Sequence, residues 1–257
     1  YANIRPSRTR ASIPAPSRHA FDLIVVRENT EGFYADRTMH EGTGEFMPIP
    51  DLAMAMRKVT RHASERIARS AFELAMTRRK KVCVVHKANV LRVSDGLFLD
   101  AVRHVAKDFP DVALEEQLVD AMAALLVRDP RPYDVIVTTN MFGDILSDEA
   151  AELAGGLGLG ASLNAGLHHG VAQAAHGSAP AIAGQDKANP CALILSSAML
   201  LTWLAGRLQR PEYVRAGAAL EKAIDETLDD PATRTGDLGG SLGTKAFTQA
   251  IIARLRA

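Results

Sequence analysis

The sequence predicts an α/β protein built on a mixed, largely parallel sheet flanked by helices. Short β-branched runs recur at FDLIVV (21–26), KVCVVH (81–86) and YDVIVTT (133–139), each with the length and composition of a buried strand. Segments of helical period separate them. Each run is followed by polar residues: RENTEGFY after the first, KANV after the second, NMFGDILSD after the third. Buried strands alternating with helices of this length place helices on both faces of a parallel sheet.

Taken in order, YANIRPSRTR opens the chain without an initiator Met and without a preceding strand or helix, as if inside a longer sequence. It is basic and proline-punctuated and lacks the apolar stretch of a secretory signal. Beyond Pro48 and Pro50, Ala63, Ile67, Ala68, Ala71 and Phe72 share one face of a 3.6-residue repeat, which predicts a helix. Helical patterns also fit 94–108 and 118–128. From Gly155 the chain is glycine-rich, with HGSAPAIAGQDKANP at 176–190, three helical stretches and a turn-like DLGGSLG at 237–243. No strand ladder of its own is expected there. Two subdomains follow, 1–155 and 156–257. The apolar stretch CALILSSAMLLTWLA (191–205) falls short of the roughly 20 residues of a membrane span and reads as a buried core helix.

With 257 residues, 47% of them hydrophobic, the chain can bury a sizeable core. Thirty basic residues balance thirty acidic ones, so no net field draws it to nucleic acid or an acidic membrane, and a small-molecule partner fits better. Cys83 and Cys191 lie inside apolar runs and read as reduced, buried thiols of a cytoplasmic protein.

In open α/β sheets, ligands bind beyond the carboxyl ends of the strands, so three polar exits bring Arg27, Lys87 and Asp144 toward a common crevice. Asp144 and Asp148 stand four apart in a helical pattern and project from one face, where they could hold a divalent ion through oxygen. On the pair alone, a helix cap with a negative first turn explains them equally well. Arg5 and Arg27 offer planar forks for a carboxylate. Lys87 follows an apolar run, where burial or a neighbouring cation favours the neutral amine a general base needs. Tyr34 could supply a proton, although a lone tyrosine is equally a packed ring with a hydrogen-bonded tip. HGSAP combines backbone amides, a small hydroxyl and a proline, suited to a phosphate or a flat ring. GLGLGA (156–161) follows a helical segment instead of a strand and reads as a turn, not a dinucleotide fingerprint. Adjacent His168 and His169 read as a solvated loop.

Together YANIRP, DLIVVRENTEGFY, HKANVL, VDAMAALLV, NMFGDILSDEAAEL, HGSAP with AGQDKANP, and DLGG resemble the isocitrate/3-isopropylmalate dehydrogenases, the β-decarboxylating dehydrogenase family, over essentially the whole chain. The resemblance implies metal-dependent, NAD-linked oxidative decarboxylation of a 3-substituted malate, with NADP the less favoured cofactor. It implies that Arg5 and Arg27 bind the malate carboxylates. Asp144 and Asp148, with Asp120 from a second subunit, would hold Mg²⁺ or Mn²⁺, so a homodimer shares the site. Lys87, also crossing from the partner, would serve deprotonation of the hydroxyl, and Tyr34 protonation of the enol. Asn89, His176, Gly177, Ser178, Ala179 and Asn189 would contact the cofactor.

The chain departs from the family pattern in three respects. Family members carry a further N-terminal part bearing strands and the pocket for the variable substituent, so the sequence reads as a fragment, one expected to show weak activity or none by itself. Gln173 stands where a glutamate is usual near the nicotinamide, and Ala181 where NAD-linked members usually have aspartate. RENTEGFY and HKANVL are closer to the isocitrate and homoisocitrate branches. A non-catalytic regulatory subunit of the same family is the rival reading.

Overall fold

A computed structural model describes residues 1–34 and 44–256. The chain forms two compact units, one comprising 1–4 and 23–147, the other 5–22 and 148–257. The division therefore falls at 147/148, within a helix, where the glycine-rich composition pointed to 155/156, and a piece of the N-terminal segment belongs with the C-terminal half.

The first unit is a parallel sheet with helices against it. Its strands are β1 (Ala2–Arg8, of which the first residues belong here), β2 (Asp22–Glu28), β5 (Lys81–His86), β6 (Ala113–Leu118) and β7 (Val135–Thr138), with a separate antiparallel hairpin of β3 (Glu45–Ile49) and β4 (Leu52–Ala55). The order β6-β5-β7-β2 is parallel throughout, with Ile24 and Val82 both opposite Val135. The three runs read as strands are the three central ones. Their side chains are buried on both faces, as parallel strands between helix layers require. Helices α1 (Arg61–Met76) and α2 (Ser94–Ala106) pack on each other and on β5. Ile67, Ala68, Ala71 and Phe72 of α1, Phe98 and Val102 of α2, and Val82, Val84, Val135 and Val137 of the sheet form one apolar cluster. Thr60 caps α1, its hydroxyl accepting from the Ala63 amide. Helix α3 (Val119–Arg128) packs on β5 and β6.

Helix α4 (Asn140–Leu153) begins in the first unit and continues into the second. The second unit holds the end of β1, then β8 (Ala161–Ala165) and β9 (Gly170–Ala174), and the helices α5 (Cys191–Leu208), α6 (Glu212–Asp229) and α7 (Thr244–Arg256). β8 and β9 are an antiparallel hairpin, Leu163 opposite Ala172. The expectation of no strands here is thus corrected. The short hairpin, broken by glycines and carrying few β-branched residues, gives no periodic signal, yet its paired backbone satisfies its own hydrogen bonds. GLGLGA forms a short 3-10 turn at Leu157–Leu159 leading into β8, and His168 and His169 are exposed in the hairpin turn. By length and composition α5 could cross a membrane, but it lies against β8, β9 and α6. Cys191, Leu195, Ile224, Leu228, Phe247 and Ile251 make the core of this unit.

Candidate functional site

The exit of β2 is built on buried, hydrogen-bonded side chains. Arg27, a buried cation next to the last residue of that strand, donates from Nε to Asn140 Oδ1 at 2.8 Å and from a terminal nitrogen to the Asp144 carboxylate. The Tyr34 ring lies 5.7 Å from its guanidinium carbon. Asn140, the first residue of α4, donates in turn to the Glu31 carbonyl at 2.8 Å. Glycine is needed at 143 because a Cβ there would stand 2.7 Å from Arg27 Cβ. Helix α4 thus comes down directly on the arginine. Arg27, Tyr34 and Asp144 are brought together as one cluster.

Asp144 and Asp148 occupy successive turns of α4. Neither falls in its first turn, so the capping alternative for this pair is removed. Asp148 accepts from Arg5 at 3.3 Å, and Arg5 is buried in β1. Each aspartate therefore has an arginine. Both carboxylates keep about a third or more of their side-chain surface open, 36% and 45%. An all-oxygen, partly exposed pair suits a hard divalent ion that retains waters or substrate oxygens, and so Mg²⁺ or Mn²⁺ fits these donors.

Lys87, at the exit of β5, belongs to a different constellation. Its ammonium reaches Asp120 Oδ1 at 2.5 Å, near the start of α3. The ammonium, followed by the helix-start backbone, holds the Asp120 carboxyl below the usual carboxylate range. Within one chain, then, Lys87 is paired with an anion, where its place after an apolar run suggested burial or a neighbouring cation. Among the described residues no three acids, histidines or cysteines cluster as metal ligands, so Asp120 does not join Asp144 and Asp148 within a single chain. The turn after Lys87 and the helix of Asp120 carry exposed valines, Val90, Val93 and Val127 being 65%, 87% and 60% exposed, together with exposed Asn89, Arg92 and Arg128.

The remaining candidates sit in the second unit. His176 is partly exposed, its ring Nδ1 2.8 Å from the Gly177 carbonyl, and Ala179 takes a left-handed conformation with φ 44°. Gly177 and Ser178 are exposed beside them. Asn189 donates to Asp237 at 3.0 Å and accepts from the Cys191 amide at 2.9 Å, anchoring the end of the loop at the start of α5. A Cβ on Gly158 would meet Asp237 at 2.7 Å and Asn189 Nδ2 at 3.0 Å, so this turn closes on the anchor. Ala181 is exposed, its carbonyl taken by Gln185. A loop of exposed amides with a polar anchor fits a phosphate-bearing, flat-ringed cofactor. Sequence reading missed Asn140, and the buried pair Arg57 and Asp95. No local signal marks the latter, because Arg57 stands beside Lys58 and its partner lies 38 positions away.

The sheet order, with polar groups at the ends of its parallel strands, defines an open-sheet α/β protein whose ligands bind beyond the strand ends. The family model described as "Isocitrate/isopropylmalate dehydrogenase" matches residues 1–252, and the chain belongs to that family. It is 47% identical over all of its length to an isocitrate/homoisocitrate dehydrogenase of Thermus thermophilus, of which it covers 72%. A probable NAD isocitrate dehydrogenase subunit alpha of Drosophila melanogaster is 41% identical over 99% of the chain, which covers 64% of that protein. The crystal structure of isocitrate dehydrogenase from Methylococcus capsulatus superposes with a TM-score of 0.89 at 40% identity, over all of this chain and 74% of that one.

Proposed function

We propose that the protein oxidatively decarboxylates a 3-substituted malate of the isocitrate, homoisocitrate and 3-isopropylmalate class, with NAD and Mg²⁺ or Mn²⁺. The observation that carries this reading is the arrangement on α4: Asp144 and Asp148 on successive turns, Arg27 on the first and Arg5 on the second, with Tyr34 over Arg27. A polycarboxylate brings oxygens that compete for both guanidinium forks, which frees the two aspartates for a divalent ion.

In this reading Arg5 and Arg27 bind and orient the malate carboxylates, and Asp144 and Asp148 hold the ion with Asp120 of the partner subunit. A bound divalent ion would supply polarisation of the substrate oxygen at C2, and bound NAD would supply a hydride acceptor. With Asp120 drawn to the ion, Lys87 of the partner subunit would act as the neutral amine that takes the proton from the C2 hydroxyl. Tyr34 returns a proton to the carbon left after CO₂ departs. The exposed Val127 supports the homodimer, because Asp120 and Val127, seven residues apart, share one face of α3 and would be covered together. Asn89, His176, Gly177, Ser178, Ala179 and Asn189 line the NAD site. Ala181 places no cation where NADP carries its extra phosphate, which favours NAD. A cytoplasmic setting suits two buried, unpaired thiols.

The test is a panel assay of the full-length protein with isocitrate, homoisocitrate, 3-isopropylmalate and tartrate, each with NAD or NADP and with or without Mn²⁺. NADH formation that requires Mn²⁺ with one of the first three is expected. No turnover with any substrate would leave a non-catalytic subunit, and preference for NADP would overturn the cofactor assignment.

A further inference from the structure

A second charged pair lies beneath the exits of β5 and β7. The Asp95 side chain in the first turn of α2 has no exposed surface, and Arg57, 8% exposed, is its ion partner. Taking both charges out of water is costly, and such a pair persists only where its hydrogen bonds are used in full. They are. One Asp95 oxygen accepts from Arg57 and the other from the backbone amide of Lys87, at 2.5 Å. Arg57 also donates to Ser94 Oγ and to Thr139 Oγ1, each at 3.0 Å, and its guanidinium carbon lies 5.7 Å from the Phe33 ring and 5.4 Å from the Phe142 ring.

Apart from the one to Ser94, each contact ends at an element carrying a group of the proposed site. Lys87 N–H belongs to the turn whose ammonium meets Asp120. Thr139 immediately precedes α4, and its carbonyl accepts from Gly143 at 2.8 Å. Phe33 adjoins Tyr34. A planar guanidinium can serve a carboxylate, two hydroxyls and two rings together, which a lysine ammonium cannot.

We propose that Asp95 and Arg57 are positioning residues for Lys87: the buried carboxylate fixes the backbone from which the ammonium projects, and the guanidinium ties that backbone to the start of α4. The inference rests on Lys87 acting in proton transfer, as proposed above. Displacement of a reacting group by about 1 Å costs on the order of 100-fold in rate, and loss of a residue supporting a site typically costs about 10- to 100-fold.

The informative variant replaces both partners, Arg57→Met with Asp95→Leu, because removing a buried pair together strands no charge and commonly leaves folding intact. In the full-length protein, with whichever panel substrate is turned over, kcat is expected to fall about 10- to 100-fold while KM for that substrate changes less than about twofold. The same pair of changes in a Lys87→Met background is expected to alter the residual rate less than about twofold, because the group being positioned is already gone. An unchanged kcat, or an equal loss in both backgrounds, would overturn the inference. Should the double variant fail to fold, Asp95→Asn in the same cycle answers the question. A wild-type protein without turnover on any panel substrate defeats the functional reading itself, a result distinct from normal turnover in the variants.

Discussion

The two units solve the placing of polar groups in opposite ways. In the first, groups of the candidate site stand at the ends of parallel strands and are fixed by side-chain partners: Arg27 by buried Asn140 and half-buried Asp144, Lys87 through the buried Asp95 carboxylate at its amide. In the second, which also holds the Arg5–Asp148 pair, most of the candidate cofactor residues lie on a mostly exposed loop held by backbone hydrogen bonds and a few polar side chains. Asp186, with φ 56°, accepts from the amides of Thr244 and Lys245 and so ties the loop to the start of α7. Groups that must meet a reacting carbon need angular control, which buried side-chain networks give. A loop that holds a large cofactor needs mainly the right backbone path.

The largest expected effect tests the first half of this contrast. Alanine at Gly143 puts a methyl 2.7 Å from Arg27 Cβ and 3.2 Å from its Cα, and neither atom is the movable end of a side chain. Helix propensity favours the change by about 1 kcal/mol, but overpacking costs about 1–3 kcal/mol, so the arginine is pushed aside or α4 moves. Gly143→Ala is expected to lower kcat/KM by about 10- to 100-fold, with most of the loss in KM for the hydroxy acid and little in KM for NAD. Steady-state kinetics with each substrate varied in turn checks it, and equal losses in both KM values would show that the two units do not divide the work in this way.

The matching change in the second unit is milder. At Gly158 the added methyl meets the ends of the Asp237 and Asn189 side chains, which can turn away at the cost of their hydrogen bond, and Asn189 Cβ at 3.2 Å, which needs to give by only a few tenths of an ångström. One such bond is worth about 0.5–1.5 kcal/mol, or roughly 2- to 12-fold in affinity. Gly158→Ala is expected to raise the dissociation constant for NAD in that range, measured by fluorescence titration, and to leave KM for the hydroxy acid unchanged.

This contrast also governs what the sequence discloses. The central strands β2, β5 and β7 are legible because burial on both faces demands continuous apolar runs, and α1 because its buried face repeats every turn. β6, ALEEQL, is an edge strand with a largely open face, so its charged residues hide it. β1 carries Arg5 and Arg8 within the strand, where inward and outward positions alternate but charge obscures the pattern. Arg27, Asp144, Asp148, Arg5 and Tyr34 were visible as residues at strand exits or in motifs. Their pairing was not, because Arg27 and Asp144 are 117 positions apart and meet only once β2 and β7 lie side by side. Arg57 and Asp95 gave no local sign for the same reason, being partners across 38 positions.

The smallest effect compares the units through one thiol in each. Cys83 in β5 and Cys191 at the start of α5 are both buried and unpaired, and burial pushes each thiol up to about 12 from an ordinary 9.0. Since the thiolate is the nucleophile, neither is expected to react with iodoacetamide at pH 8 in the folded protein, while both react in denaturant. The unfolded chain releases these protons near pH 9 and the folded chain holds them to about 12, so stability is present below the unfolded value and falls with rising pH across that interval. Alkylation under native conditions then reports local opening, unit by unit. If substrate-binding groups are held by the more deeply networked unit, Cys83 is protected longer than Cys191, and peptide mapping of the alkylated sites at successive times reads the order directly. Faster modification of Cys83 would mean that the buried charge networks of the first unit give direction to its side chains without making that unit the harder one to open.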